Sequence, residues 1–84
     1  MKYFASLSFW ESYERLPSTI QELADRCFDF LKAQPGHPSL HLKKVGRYWS
    51  VRVGRKYRAL SVEVDQDLLW FWIGTHAEYD KLIK

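Results

Sequence analysis

Hydrophobic residues recur at helical spacing through the first third of the chain. In two consecutive segments the apolar residues are Phe9, Trp10, Tyr13 and Leu16, and then Ile20, Leu23, Ala24, Cys27, Phe28 and Leu31. Such spacing is typical of amphipathic helices, and Pro17 separates the two segments. Capping boxes are predicted at residues 8–11 and 18–21, where a serine precedes a glutamate or a glutamine by three positions. The pattern therefore predicts a helical hairpin whose second helix ends near Ala33.

From residue 40 onwards, hydrophobic and polar residues alternate, which is typical of strands. The predicted strands are residues 2–7, a short edge strand around Leu40, Leu42 and Val45, and residues 48–53, 57–65 and 68–73. Turns are predicted at residues 54–56 and 65–67, and residues 76–84 are expected to form one or two helical turns. The strand at 68–73 is apolar on both faces, so it is predicted to be central and covered on both sides. The predicted fold is α+β, with the order β-α-α-β-β-β and a helical tail. An antiparallel meander sheet carries the helical hairpin on one face.

The chain has 84 residues, of which 46% are hydrophobic and 17% aromatic. This composition predicts one globular domain spanning residues 1–84. Cys27 is the one cysteine in the sequence, which excludes an internal disulfide, and no Cys/His spacing suits zinc. We therefore expect no metal and no cofactor. No stretch of the sequence has the character of a signal peptide or a membrane span, so a cytoplasmic protein without a membrane partner is expected.

Positive charge is concentrated in the middle of the chain. Residues 41–58 contain seven basic residues and no acidic one, namely Lys43, Lys44, Arg47, Arg52, Arg55, Lys56 and Arg58. Residues 1–40 have four basic against five acidic residues, and residues 59–84 have two against five. The formal net charge of +3 therefore hides a strongly cationic hairpin. This charge distribution favours an anionic partner, either a nucleic acid or an acidic protein segment.

Several motifs along nearly the whole chain resemble the RelE/ParE superfamily, the toxin halves of bacterial type II toxin–antitoxin pairs. The resemblance rests on the helical hairpin with Leu16-Pro17, on LKKVG at 42–46, on YWSVRVG at 48–54, on Tyr57-Arg58 and on WIGTHAEY at 72–79. No single motif is decisive, but their order is fairly specific. The tyrosine–tryptophan–serine strand followed by Arg58 is especially similar to the YoeB-like and RelE-like mRNA interferases.

The resemblance implies ribosome-dependent cleavage of mRNA, with mRNA, ribosomal RNA and a neutralising antitoxin as partners. Arg58 matches the catalytic arginine of the family, and His76 and Tyr79 fall where the family has its C-terminal acid/base residues. Two departures stand out. The strand lysines of RelE fall here on Trp49 and Val51, and the catalytic glutamate of YoeB has no counterpart in residues 45–47.

RNA cleavage without a metal needs proton transfer and cations that stabilise the charged phosphorus centre. Imidazole suits the proton transfers, and the planar guanidinium of arginine suits the phosphate. Because His76 and Tyr79 are three residues apart, one helical turn would bring them together. The phosphate-binding candidates around Arg58 are Lys43, Lys44, Arg52, Arg55 and Lys56. By strict alternation Arg58 shares a face with Leu60. It is therefore expected either at the rim beyond the aliphatic residues or re-aimed by a bulge near residues 54–56.

Three functions are compatible with these features. The first is an mRNA endoribonuclease toxin with Arg58, His76 and Tyr79 as catalytic residues. The second is a protein without catalysis, either a ParE-like inhibitor of DNA gyrase or an inactive homologue that pairs with an antitoxin, which the missing lysines and glutamate favour. The third is a small basic RNA-binding module, which ranks last because no known RNA-recognition motif is present. The aromatic run at residues 70–72 is expected to be core in preference to a platform for stacking bases.

Overall fold

The computed structural model describes residues 2–83. The elements in chain order are β1 (Tyr3–Ala5), α1 (Leu7–Glu14), α2 (Ser18–Ala33), a 3-10 turn (Pro38–Leu40), β2 (Lys43–Val45), β3 (Tyr48–Val53), β4 (Tyr57–Val64), β5 (Asp67–Thr75) and α3 (His76–Leu82). The predicted α+β class is confirmed, but the sheet has five strands, one more than the predicted order β-α-α-β-β-β contains. The opening strand is shorter than the predicted 2–7. Leu40, which was predicted to belong to the edge strand, lies instead in the 3-10 turn and is buried.

The five strands form one sheet in the order β1-β5-β4-β3-β2. Strands β2 to β5 form the predicted antiparallel meander. The first strand differs, because β1 pairs in parallel with β5, with Tyr3 beside Leu68 and Ala5 beside Trp70. As a result β5 lies second from the edge of the sheet. The central strand is β4, not the strand at 68–73 that was predicted to be central. The helical hairpin carries the chain from β1 at one edge to β2 at the other, and the meander then returns to place β5 beside β1.

Both predicted capping boxes are wrong. Helix α1 begins two residues earlier, where the Ser6 hydroxyl accepts a hydrogen bond from the Phe9 backbone N–H at 3.3 Å. The Ser8 hydroxyl instead donates to the Phe71 carbonyl at 2.8 Å, which ties α1 to β5. Helix α2 follows Pro17 without a side-chain cap, and the Gln21 amide donates to the Tyr13 carbonyl.

The core lies between the helical hairpin and one face of the sheet. Its buried residues are Phe9, Ala24, Leu31, Leu40, Val51, Val53, Ala59, Leu68, Trp70 and Ile73. The alternation predicted for β3 is confirmed, because Val51 and Val53 point into this core and Trp49 packs at its border. Cys27 also packs against it, and burial raises the pKa of its thiol. No described helix is long and apolar enough to cross a membrane.

The opposite face of the sheet carries α3. We call it the α3 face; from β3, β4 and β5 it presents Tyr48, Ser50, Arg52, Arg58, Leu60, Val62, Leu69, Trp72 and Gly74. Gly74 allows Trp72 to fold back over the strand, since a Cβ on this glycine would lie 2.4 Å from the Trp72 ring. The register between β4 and β5 shifts at Leu60 and Ser61, which leaves Phe71 as an extra residue on β5. All three predicted catalytic residues lie on this side of the sheet.

Candidate functional site

Arg58 is a charged residue that is buried on the α3 face. It lies near the start of β4, directly opposite Arg52 on β3 and Gly74 on β5. Its side chain is 9% exposed, and Nε and Nη1 are buried without a hydrogen-bond partner among residues 2–83. Arg58 lies beyond Leu60 on the same face, as alternation predicts, and the bulge of this sheet is not at residues 54–56. It is not an exposed rim residue, however, because α3 covers it.

Tyr79 of α3 forms that cover. Its ring centroid is 5.2 Å from the Arg58 Cζ atom, in a cation–π contact, and its side chain is 3% exposed. The phenol hydroxyl donates a hydrogen bond to the Ser50 hydroxyl on β3 at 3.4 Å. In the structure, therefore, this hydroxyl faces the sheet. The ring itself is the part of Tyr79 that meets the other candidate residues.

His76 is a second neighbour of Tyr79. The two ring centroids are 5.6 Å apart, so the Tyr79 ring contacts both the Arg58 guanidinium and the His76 imidazole. The His76 backbone N–H donates to the Lys56 carbonyl at 2.7 Å, which fixes the start of α3 against the turn between β3 and β4. The predicted three-residue spacing of His76 and Tyr79 thus brings their rings together on α3.

Asp80 is a site residue that sequence reasoning missed. Its Oδ2 atom lies 3.2 Å from Nδ1 of His76, and the two side chains are 52% and 48% exposed. A carboxylate in this place holds a proton on Nδ1 and leaves Nε2 free for chemistry. The signal was present in the sequence, since residues four apart on a helix are neighbours.

Four of the five predicted phosphate-binding residues lie on the α3 face or in the turn beside α3, and the fifth lies on the opposite face. Arg52 lies opposite Arg58, and its Nε donates to the Gly54 carbonyl at 2.9 Å. Lys43 on β2 is exposed and lies opposite Ser50, also on the α3 face. Arg55 and Lys56 are exposed in the turn that holds the start of α3. Lys44 differs, because it pairs with Trp49 and therefore belongs to the opposite face.

Helix α3 is anchored by a capping box that the sequence analysis did not predict. The Thr75 hydroxyl accepts from the Glu78 backbone N–H, and the Glu78 carboxylate accepts from the Thr75 backbone N–H at 3.0 Å. These bonds, first the backbone N–H and then the hydroxyl of Thr75, lower the pKa of the Glu78 carboxyl. This cap fixes the beginning of α3, where His76 is the first residue.

We expect Glu78→Gln to destabilise the fold at neutral pH and to have a smaller effect in acid. A carboxyl whose pKa is lowered by folding stabilises the native state above its unfolded pKa, near 4.3, and this contribution is lost as the pH falls through the lowered value. Urea unfolding of both proteins, at neutral pH and well below the glutamate range, measures the difference. An equal difference at both pH values would show that the charge of Glu78 is unimportant.

The fold of this chain is similar to that of several toxins of solved structure. A chain of the RelB–RelE antitoxin–toxin complex from Methanococcus jannaschii has a TM-score of 0.73 and 13% identity, covering 96% of this chain and 99% of that one. The YoeB/ParE toxin from Agrobacterium tumefaciens has a TM-score of 0.67 and 22% identity, covering 90% and 99%. YafQ from E. coli has a TM-score of 0.69 and 14% identity, covering 93% and 96%. At these identities the likeness is one of fold.

The sequence itself places the chain in a family. The profile of the ParE-like toxin domain matches residues 18–81, so this protein belongs to that family of toxins. No curated protein matches the chain at a significant level. The predicted membership of the RelE/ParE superfamily is therefore confirmed. The family does not by itself assign a chemical activity, which has to be argued from the residues on the α3 face.

Proposed function

We propose that this protein is an mRNA endoribonuclease, the toxin of a type II toxin–antitoxin pair, and that it cleaves mRNA on the ribosome. Its partners would be an antitoxin, mRNA and ribosomal RNA. The proposal includes a cytoplasmic location and a single domain spanning residues 1–84. The single observation that carries it is the guanidinium of Arg58, whose Nε and Nη1 are buried without a hydrogen-bond partner among residues 2–83, directly opposite Arg52.

Two arginines facing each other across a strand pair destabilise a sheet unless an anion lies between them. Burying a guanidinium without hydrogen-bond partners costs several kcal/mol. The ionic contact found within 4 Å among residues 2–83 joins His76 and Asp80, so no described carboxylate neutralises Arg58. A phosphate diester fits this environment, because it supplies both the charge and the acceptor oxygens that Arg58 lacks.

The chemistry that follows uses the chain's own groups. Arg58, with Arg52 beside it, would hold the non-bridging oxygens and stabilise the charge of the pentavalent phosphorus. The 2′-oxygen attacks phosphorus, the bond to the 5′-oxygen breaks, and the products are a 2′,3′-cyclic phosphate and a 5′-hydroxyl. His76, with Nδ1 held by Asp80, would accept the 2′-hydroxyl proton at Nε2 and deliver it to the departing 5′-oxygen.

Tyr79 has a different part in this proposal. Its hydroxyl is bonded to Ser50, so we assign it to positioning the guanidinium and the imidazole through its ring, in preference to proton transfer. Because the Tyr79 ring covers Arg58, the phosphate would reach the guanidinium beside this ring or after its displacement. The hydrogen bond that holds the hydroxyl is long, at 3.4 Å, which is consistent with such a movement.

The absence of the RelE lysines at Trp49 and Val51 weighs less against catalysis than the sequence suggested. Both residues lie on the face covered by the helical hairpin, where a lysine would point away from Arg58. The position beside Arg58 on β3 is Arg52, which supplies a cation. The YoeB glutamate still has no counterpart on β2 or in the following turn, and His76 with Asp80 would take over its part in proton transfer.

A gyrase inhibitor is the second candidate, because the matching family is named for ParE-like toxins. Expression of the protein without its antitoxin is expected to arrest growth, and the damage distinguishes the two candidates. Cleaved transcripts on ribosomes with continuing replication support the endoribonuclease. Intact transcripts with blocked replication contradict it and support the inhibitor. The double variant Arg58→Ala, His76→Ala is expected to abolish the cleavage.

A further inference from the structure

An aromatic pair occupies the other end of the α3 face from His76. Tyr48 of β3 and Phe71 of β5 have ring centroids 5.5 Å apart, and both side chains are half-buried. The Arg47 Cζ atom lies 5.2 Å from the Tyr48 ring centroid, and Nη2 of Arg47 donates to the Tyr48 hydroxyl at 3.1 Å. We call Tyr48, Phe71 and Arg47 the aromatic platform.

The platform is continuous with the candidate site. Tyr48 precedes Ser50 by two residues on the same face of β3, which corresponds to about 7 Å along the strand. Ser50 is the residue whose hydroxyl meets Tyr79, the cover of Arg58. Tyr48 lies about 13 Å along β3 from Arg52, the residue opposite Arg58, so the platform and the proposed phosphate site share one face of the sheet.

A bulge in β5 lies beside the platform. Leu60 pairs with Trp72 and Ser61 with Trp70, so Phe71 has no partner of its own on β4. Phe71 follows Leu69 by two residues on the α3 face, and its ring meets that of Tyr48 across β4. The bulge turns Trp72 to this face as well, so two consecutive aromatic residues lie on it. The core on the other face keeps Trp70 fully buried.

The surroundings of the platform favour a nucleobase as its occupant. The helical hairpin packs on the opposite face, and α3 contacts the end of the sheet near Arg58, so the rings of Tyr48 and Phe71 keep exposed surface. Residues 41–62 contain no acidic residue, and the exposed Lys43 pairs with Ser50 on the same face. Aromatic rings between cations are how proteins hold single-stranded nucleic acids, by stacking on bases while the cations meet the backbone.

We propose that the aromatic platform is a base-stacking subsite. It would hold the nucleobase next to the phosphate at Arg58, and it would favour unpaired RNA with an intact base at that position. The inference rests on the proposed function, since it takes that phosphate as its reference point. It corrects the expectation that the whole aromatic run at 70–72 is core, because Phe71 belongs to the surface of the α3 face.

The test compares Tyr48→Leu with the wild-type protein on ribosomes programmed with a synthetic mRNA. Leucine still covers Leu60 and Val62 but has no aromatic face, and Tyr48→Phe restores that face. For mRNA with intact bases, cleavage by Tyr48→Leu at low mRNA concentration is expected to fall about tenfold, with Tyr48→Phe close to wild type. On mRNA with an abasic nucleotide beside the cleaved bond, wild type and Tyr48→Leu are expected to be equal. Phe30→Leu, which changes an exposed aromatic residue on α2, away from the α3 face, is the matched control.

Two results would overturn the inference while leaving the proposed function intact. One is unchanged cleavage by Tyr48→Leu, and the other is an equal loss on intact and abasic mRNA, which means a purely structural role. If the wild-type protein cleaves neither mRNA, the proposed function fails. Binding of the same two RNAs, measured by fluorescence polarisation, then tests base stacking independently of cleavage. Tighter binding of the intact RNA that Tyr48→Leu abolishes would support the subsite. Equal binding of both RNAs, or a Tyr48→Leu defect confined to antitoxin binding, would refute it.

Discussion

Replacing Arg58 with methionine is expected to stabilise the folded protein while abolishing cleavage of mRNA. Methionine has a similar volume and lacks the buried N–H groups that find no partner in the structure. Replacing a buried ion pair by apolar side chains stabilises some proteins by about 1–4 kcal/mol, and no described carboxylate is paired with Arg58. We expect a gain near the lower end, because the cation–π contact with Tyr79 is lost. In a chain of this size that gain raises the midpoint of thermal unfolding by about 5 °C or more.

The control for this experiment is Arg26→Met, on the exposed surface of α2. It removes the same charge from the surface, so its effect on the free energy of unfolding is expected to stay within about 0.5 kcal/mol and its cleavage activity to stay at wild type. A destabilised Arg58→Met protein would mean that the guanidinium stabilises the fold through a structural partner and is not a free anion-binding group. Stabilisation without loss of cleavage would remove Arg58 from the active site.

Replacing His76 with asparagine is expected to slow cleavage by about 10²–10⁴-fold, the usual loss when a general acid or base is removed. The stability of the fold should change little, because this side chain is 48% exposed. Asp80→Asn is expected to give a smaller loss, since it leaves the imidazole in place but removes the carboxylate that holds Nδ1. Single-turnover cleavage on programmed ribosomes measures both variants.

His41→Asn is the matched control for His76→Asn. His41 has a φ of 47°, a backbone conformation that asparagine tolerates, and it lies outside α3. Its cleavage rate is expected to equal that of the wild-type protein. If His76→Asn also cleaves at the wild-type rate, the proton transfers belong to another group, and the arrangement with Asp80 is a surface ion pair only.

Most of the fold could be predicted from the sequence because its signals are local. Helical spacing located both helices of the hairpin, and alternation located β3 and β4 together with their turn. The parallel pairing of β1 with β5 could not be predicted, because it joins segments more than 60 residues apart and three-residue strands carry little pattern. The caps failed for a related reason. Ser6 and Ser8 both lie near the start of α1, and the tertiary contact of Ser8 with the Phe71 carbonyl decided between them, whereas α2 follows Pro17 without a side-chain cap.

For the candidate site, the sequence supplied the residue types and the structure supplied their arrangement. Alternation placed Arg58 on the correct face, but its burial depends on α3 folding back over the sheet, which no local pattern indicates. The helical spacing of His76 and Tyr79 was informative, and the same argument would have found Asp80. The catalytic roles of these residues remain predictions. The bulge that leaves Phe71 and Trp72 together on the α3 face could not be anticipated from alternation.

The most direct measurement is a parallel assay of the wild-type protein and Arg58→Met on ribosomes programmed with one labelled mRNA, together with urea unfolding of each protein. The account predicts mRNA fragments ending in a 2′,3′-cyclic phosphate with the wild-type protein, no fragments with Arg58→Met, and a higher unfolding midpoint for the variant. Fragments of equal yield from both proteins, or no fragments from the wild-type protein, would contradict it.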